Sequence, residues 1–149
     1  MAETSLRERA LGHLARRDHS RAELARKLTP HGCAEEIEDV LNRMTELGLL
    51  SDDRFAEAWV RGKAGRFGTA RLRHDLAQRG VARDTIDAAL DAECTAGEID
   101  RARVVWNSKF GTPPADAREW ARQARFLQGR GFAGDVIRKL LKENPDESA

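Results

Sequence analysis

Tyrosine is absent from this chain, and aromatic side chains make up only 5% of its 149 residues. Runs of β-branched residues are missing too, while Ala, Leu, Arg and Glu abound, so helix is favoured and sheet is not. The two cysteines, Cys33 and Cys94, are far apart and have no CxxC partner, which excludes a disulfide framework and a zinc ribbon. Two reduced thiols of a cytosolic protein account for them most simply. No stretch of about 18 apolar residues exists, so no membrane span is expected. The first twenty residues, MAETSLRERALGHLARRDHS, carry charges throughout and contain no apolar core of a signal peptide. A cytoplasmic location is the expectation.

The chemistry that would mark an enzyme is also missing. The histidines His13, His19, His31 and His74 are scattered without HxxxH or HExxH spacing. There is no GxSxG, no P-loop and no catalytic carboxylate pair. Asp52-Asp53 sits where a helix start attracts negative charge, and capping by Ser51, Asp52 or Asp53 is the expectation. The string Gly129-Arg-Gly-Phe-Ala-Gly134 is formally GxGxxG, but that fingerprint needs a strand before it. Here the preceding REWARQARFLQ is helical, so the glycines are read as a helix stop. No cofactor, metal or catalytic residue is expected.

What is present is a repeat. Gly32, Gly80 and Gly131 lie 48 and 51 residues apart, in LTPHGCAEEIEDVL, LAQRGVARDTIDAAL and LQGRGFAGDVIRKLL. Leu76, Gly80, Val81, Asp84, Ile86 and Leu90 correspond to Leu127, Gly131, Phe132, Asp135, Ile137 and Leu141. A repeat of this length with only helical patterns indicates tandem helical modules that share faces with their neighbours. Each glycine is read as a helix terminator, with positive φ expected at Gly80 and Gly131.

The helical stripes follow. Leu6, Ala10, Leu14 and Ala15 open the first module. Ser20-Arg-Ala-Glu23 is a capping-box pattern, followed by Leu24 and Leu28. Ile37, Val40, Leu41, Met44 and Leu47 make a third stripe, on a helix that ends at Gly48. Phe55, Ala58, Trp59 and the stem of Lys63 begin the second module, followed by Leu72 and Leu76 and then by Ile86, Ala89 and Leu90. The third runs through Ile99, Ala102, Val105, Trp106 and Phe110, restarts at a second capping box, Asp116-Ala-Arg-Glu119, and continues through Trp120, Ala124 and Leu127 to Val136, Ile137, Leu140 and Leu141. The reading is all-α: nine helices in three-helix, helix-turn-helix-like repeats over 1–48, 49–95 and 96–144, with a disordered tail at 145–149. The tryptophans Trp59, Trp106 and Trp120 lie on these stripes and are read as packing rather than base-stacking groups. Phe67 and Phe126, close to arginines, fit either role.

Net charge is +1, but it is laid out in blocks. Residues 34–53 carry −6, 54–83 carry +6, 84–100 carry −6 and 101–130 carry +5. The stretch 54–83 holds eight basic and two acidic groups, which leaves few local partners and points to an anionic partner, nucleic acid or an acidic protein surface. The residues expected on that surface are Arg71, Arg73, Arg79, Arg125 and Arg130, flanked by Arg61, Lys63 and Arg66. Arg71 and Arg73 bracket Leu72 and are expected to reach solvent. Arg79 and Arg130 each precede a repeat glycine and give two modules the same basic corner.

The order of RDHSRAELARKL, LLSDDRFAEAWVRGKAGRFGTARLRHDLAQRGV, VWNSKFG and RQARFLQGRGF resembles the bacterial RecX regulatory family, from about Leu6 to Leu141. The resemblance implies three tandem three-helix modules in an elongated, curved arrangement. It further implies a monomeric partner of the RecA nucleoprotein filament that inhibits ATP hydrolysis, strand exchange and filament growth, and so acts in DNA repair, recombination and the SOS response. Where family members often have Gly-Pro, this chain has Gly68-Thr69, so a hydroxyl cap is expected in place of a ring. The alternative reading is direct binding of single- or double-stranded DNA without RecA, since three-helix units can imitate helix-turn-helix modules.

Overall fold

Short polar residues set the helix starts. Ser20 Oγ accepts from the Glu23 amide at 3.1 Å, and the Glu23 carboxylate accepts from the Ser20 amide at 3.1 Å, completing the expected box. Ser5 and Ser51 accept from the amides of Glu8 and Arg54 in the same way. Asp52 also caps, but a different helix: its carboxylate takes the Arg21 amide at 2.7 Å. Asp116 receives the Glu119 amide at 2.8 Å, whereas the Glu119 carboxylate turns to Arg122 and Gln123, so the second box is half made. The computed structural model describes residues 4–142. The tail expected at 145–149 lies outside the described residues, as does the end of the third repeat.

Among the described residues there are nine α-helices and no strand. They are α1 (Leu6–Arg16), α2 (Arg21–Leu28), α3 (Ala34–Glu46), α4 (Asp52–Lys63), α5 (Thr69–Gln78), α6 (Arg83–Glu93), α7 (Glu98–Lys109), α8 (Ala117–Gly129) and α9 (Gly134–Leu141).

The glycine punctuation holds at two of its three positions and gains another. Gly80 and Gly131 have φ of 78° and 94°, and Gly48 has φ of 75°. At each, the glycine amide bonds the carbonyl three residues back (Thr45, Ala77, Gln128) and the next amide bonds the carbonyl of Met44, Leu76 or Leu127. These are the paired bonds of a left-handed helix stop. Gly32 differs: its backbone is extended, and α2 is ended by the 3-10 turn Thr29–His31 with Pro30 inside it. After Gly32 the repeat also runs one residue short, Ile37 lying five positions beyond its glycine where Ile86 and Ile137 lie six beyond theirs.

The described residues fall into two compact units, one running to Trp59 together with Leu76–Ala89, the other comprising Val60–Asp75 and the chain from Leu90. In the first, α1, α2 and α3 enclose Ala10, Leu24, Leu28, Ile37, Leu41, Met44 and Leu50. Leu50 takes the place expected for Leu47, which is 44% exposed because α3 ends at Glu46 and the Gly48 turn redirects the chain. In the second, α7, α8 and α9 enclose Ala102, Val105, Leu127, Phe132, Ile137 and Leu141, with Trp106 and Trp120 packed against them. Along α4 the buried positions are Phe55, Ala56 and Val60, while Ala58 is exposed, so the stripe lies one residue from its expected register. Leu76 and Leu127, equivalent in the repeat, are both fully buried.

Candidate functional site

In the second unit the residues around Gly68 and those around Gly131 meet backbone to backbone. The Gly68 amide donates to the Arg130 carbonyl at 2.7 Å, and the Ala70 amide to the Gly131 carbonyl at 3.2 Å. A β-carbon on Gly68 would fall 2.4 Å from the Gly131 oxygen, and one on Gly131 would fall 2.3 Å from Arg71 Cβ. Only glycine permits both the approach and the left-handed turn. From α7 the buried Arg101, 8% exposed, donates to the carbonyls of Ala64 and Phe67 and to Thr69 Oγ1. Glu98 accepts the Thr69 amide at 3.2 Å. The hydroxyl cap expected at Thr69 is therefore replaced by two other bonds, one of which uses the amide that a proline would lack.

This clasp carries the basic residues that the charge pattern singles out. Arg66, Arg71 and Arg130 lie over the Phe67 ring, with guanidinium carbons 5.7, 4.8 and 5.4 Å from its centroid. Arg130 also lies 5.2 Å from the Phe126 centroid. Phe126 meets Phe110 edge to face at 5.3 Å, and Lys109 and Arg122 stand over these two rings at 5.6 and 5.0 Å. Lys109, Arg122 and Phe110 were not legible as members of this surface, because only folding brings α7 and α8 beside the clasp. The proximity of Phe67 and Phe126 to arginines in the sequence was the available signal.

The other expected basic residues are placed differently. Arg61 forms two hydrogen bonds to Glu93, 2.7 and 3.1 Å, which hold the Glu93 carboxyl below its ordinary range. Arg71, though exposed, pairs with Asp75 at 3.2 Å. In the first unit Arg79 lies 4.0 Å above the Trp59 ring and 4.0 Å from Glu23, while Arg54 pairs with Asp18 at 3.3 Å. The 54–83 stretch has few acidic partners nearby in sequence, but Asp18, Glu23 and Glu93 come to it from other blocks, so its charge is less available than the local count implied. Arg125 is exposed, and Lys63 and Arg73 are half-buried.

The remaining motifs are structural. Trp106 donates to the buried Gln123 at 2.8 Å and Trp120 to the Lys142 carbonyl at 3.2 Å. The GxGxxG string runs from the last residue of α8 to the first of α9. Among the described residues no three His, Cys, Asp or Glu side chains are grouped to hold a metal ion, and no helix is long and apolar enough to cross a membrane.

Among the described residues, nine helices with three matching glycine stops, and a surface of cations on aromatic rings, define a helical-repeat protein. Models of three domains match the chain: the first three-helix domain of RecX over 7–44, the second over 51–90 and the third over 97–141. The chain belongs to the RecX family. It is 52% identical over 139 residues to the Regulatory protein RecX of Leptothrix cholodnii, covering 93% of this chain and 88% of that one. It is 48% identical over 141 residues to that of Pseudomonas fluorescens, covering 92% and 90%. The fold is similar to the crystal structure of RecX from Lactobacillus salivarius, with a TM-score of 0.78 at 18% identity over 92% of each chain.

Proposed function

We propose that this chain is a regulatory protein that binds the RecA–DNA filament and restrains the recombinase, its ATP hydrolysis and its co-protease state. On this reading it acts in the cytoplasm, as a monomer, in DNA repair, recombination and the SOS response. Relatives named Regulatory protein RecX support the regulatory role. The observation that carries the contact surface is the gathering of Arg66, Arg71 and Arg130 about Phe67. The contact residues on this reading also include Arg61, Lys63, Arg73 and Arg125 in the second unit and, separately, Arg79 in the first, and the three repeats, 1–48, 49–95 and 96–144, each add contacts. Weak contacts repeated along one chain sum through effective concentration. Phosphates paired with these cations would make the affinity fall steeply with salt.

The test is RecA-dependent ATP hydrolysis on single-stranded DNA, with binding to filament, DNA alone and RecA alone measured in parallel. Addition of the protein is expected to reduce hydrolysis. Reversal of Arg71 and Arg73 to Glu is expected to weaken that inhibition and leave the far-ultraviolet spectrum helical. For every phosphate that such a reversal leaves unpaired, the log–log salt dependence should flatten by about 0.7 on a single strand. Unchanged inhibition after these reversals would move the binding surface elsewhere, to the exposed acidic stretch Glu35, Glu36, Glu38 and Asp39 on α3. Tight binding to DNA alone with no effect on RecA would favour the stand-alone DNA-binding reading.

A further inference from the structure

We infer that Phe67 and Phe126, joined by Arg130, form a stacking surface for unpaired nucleobases, so that the second unit reads the bases of a single strand as well as its phosphates. The inference rests on the reading that this basic cluster meets nucleic acid, and goes further by naming the part of it that the rings engage.

Three observations carry it. First, the rings are only partly buried, Phe126 lying against the core without the full burial of its members. Phe132, a few residues from the clasp, is 3% exposed and fills the unit's interior, whereas Phe67, Phe110 and Phe126 stay half-buried among cations. Second, Arg130 is held loosely, whereas Arg71, nearer to Phe67 at 4.8 Å, is tied to Asp75. Stacked groups in contact sit about 3.5–4 Å apart, and Arg79 over Trp59 reaches 4.0 Å with Glu23 beside it. Arg130 stands at 5.2 and 5.4 Å from its two rings, and no carboxylate among the described residues pairs with it. A guanidinium so placed can turn to a phosphate and open its own side of both rings. Third, the rings are presented rigidly. The Phe67 carbonyl is bonded by buried Arg101, and the next residue is clamped against Gly131. The Phe126 ring is set by its edge-to-face contact with Phe110, whose planes differ by 88°.

Rings flanked by cations fit a single strand, because every base has a face to stack and every nucleotide a phosphate to pair. A duplex keeps its base faces stacked internally and would meet only the cations. An acidic protein surface would likewise use the cations and gain nothing from the rings.

The experiment uses the full chain and labelled oligonucleotides, read by fluorescence anisotropy at one salt concentration. A thymidylate strand is compared with an abasic strand of the same length and with a duplex. The expected result is a preference for the thymidylate strand over the abasic one of about tenfold or more. Phe67→Leu and Phe126→Leu, which keep apolar volume and remove the π face, are expected to shrink that ratio towards one while the salt dependence persists. Arg130→Gln is expected to flatten the salt dependence. Equal binding of thymidylate and abasic strands by the unaltered protein would overturn the inference, and this comparison stands even where a variant fails to fold. Survival of the full ratio in the doubly substituted protein would also overturn it. Binding to neither strand, with inhibition of RecA intact, would assign the surface to an acidic protein. Inhibition of RecA measured on the same preparation separates the two readings: if it persists without base preference, the stacking surface falls and filament regulation stands.

Discussion

The two units dock the same glycine turn onto a helix start and put different chemistry on top of it. In the first, the turn at Gly80 meets the start of α2: a β-carbon on Gly80 would lie 2.4 Å from Ala22 Cβ, and Ser20 Oγ donates to the Arg79 carbonyl at 2.6 Å. In the second, the turn at Gly131 meets the start of α5 in the backbone clasp. Each glycine follows an arginine. Arg79 is held by Trp59 and Glu23, whereas Arg130 stands over two phenyl rings with no carboxylate partner among the described residues. One corner is neutralised in place and the other keeps its charge available, so the repeat keeps the joint and varies its decoration.

Truncating the repeated leucine tests whether the joints are equivalent, and carries the largest expected effect. Leu76→Ala and Leu127→Ala should each destabilise by about 2–5 kcal/mol, measured by chemical denaturation, since both side chains are fully buried. Destabilisation at one position only would break the equivalence.

The glycines sharpen the comparison. Gly131→Ala adds a left-handed strain of about 1–2 kcal/mol to a collision with Arg71 backbone, and is expected to cost about 3 kcal/mol in all. Gly80→Ala meets a lone methyl and should cost less. Gly48→Ala meets nothing within 4 Å and should show the strain alone. Denaturation midpoints in any other order would refute the backbone clasp.

Acid should separate the units. Burial, first, and then Arg17 and Lys27 lower the His19 pKa below its ordinary 6.5, against the Arg17 carbonyl that raises it; burial and Lys27 also lower that of His13. With Nδ1–H donating to the Arg17 carbonyl at 3.0 Å, Nε2 accepts from Lys27 at 2.9 Å, which is the neutral ring. The unfolded chain then takes up protons more readily than the folded one as pH falls through 6.5, so stability is full above that pH and declines below it. Hydrogen exchange at pH 7.5 and 5.5 should show the decline in the first unit. His19→Gln should reduce the slope and leave the share due to His13.

The smallest effect concerns the two arginines. Arg79→Ala should cost about 1 kcal/mol or less, since a partly exposed pair and one cation–π contact are weak. Arg130→Ala should change stability less and binding more. Thermal denaturation beside oligonucleotide titration checks the contrast.

Much of the scaffold was legible because caps and stops are written within a few residues. Ser20 with Glu23, and the glycines at 80 and 131, needed nothing distant to be recognised. Gly32 misled because Pro30 already ends α2, while Gly48, legible as the end of a helix, stood outside the repeat and yet makes the same left-handed stop. Leu47 and Ala58 were placed in stripes by periodicity, but the stripe's register depends on which face the neighbouring helices cover. The candidate surface was half legible. Arg66, Arg71 and Arg130 stood out by charge, whereas nothing in the sequence singled out Arg101, which is buried where three groups between 64 and 69 converge on it. Gln123 is hidden likewise, its amide shared among Trp106, Thr112 and Glu119.

The clasp between Gly68 and Gly131 also orders events during synthesis. Its partners are 63 positions apart, and the unit they close is interrupted by Leu76–Ala89, which belongs with the first. A ribosome delivering the chain from the N-terminus completes everything the first unit requires once residue 89 has emerged. The segment bearing Phe67 and Arg71 must wait for Gly131 before it has a backbone to close upon, with the entropy of a long loop to overcome. The basic cluster around Phe67 is therefore among the last parts of the molecule to take shape, and an unfinished chain has not yet assembled it.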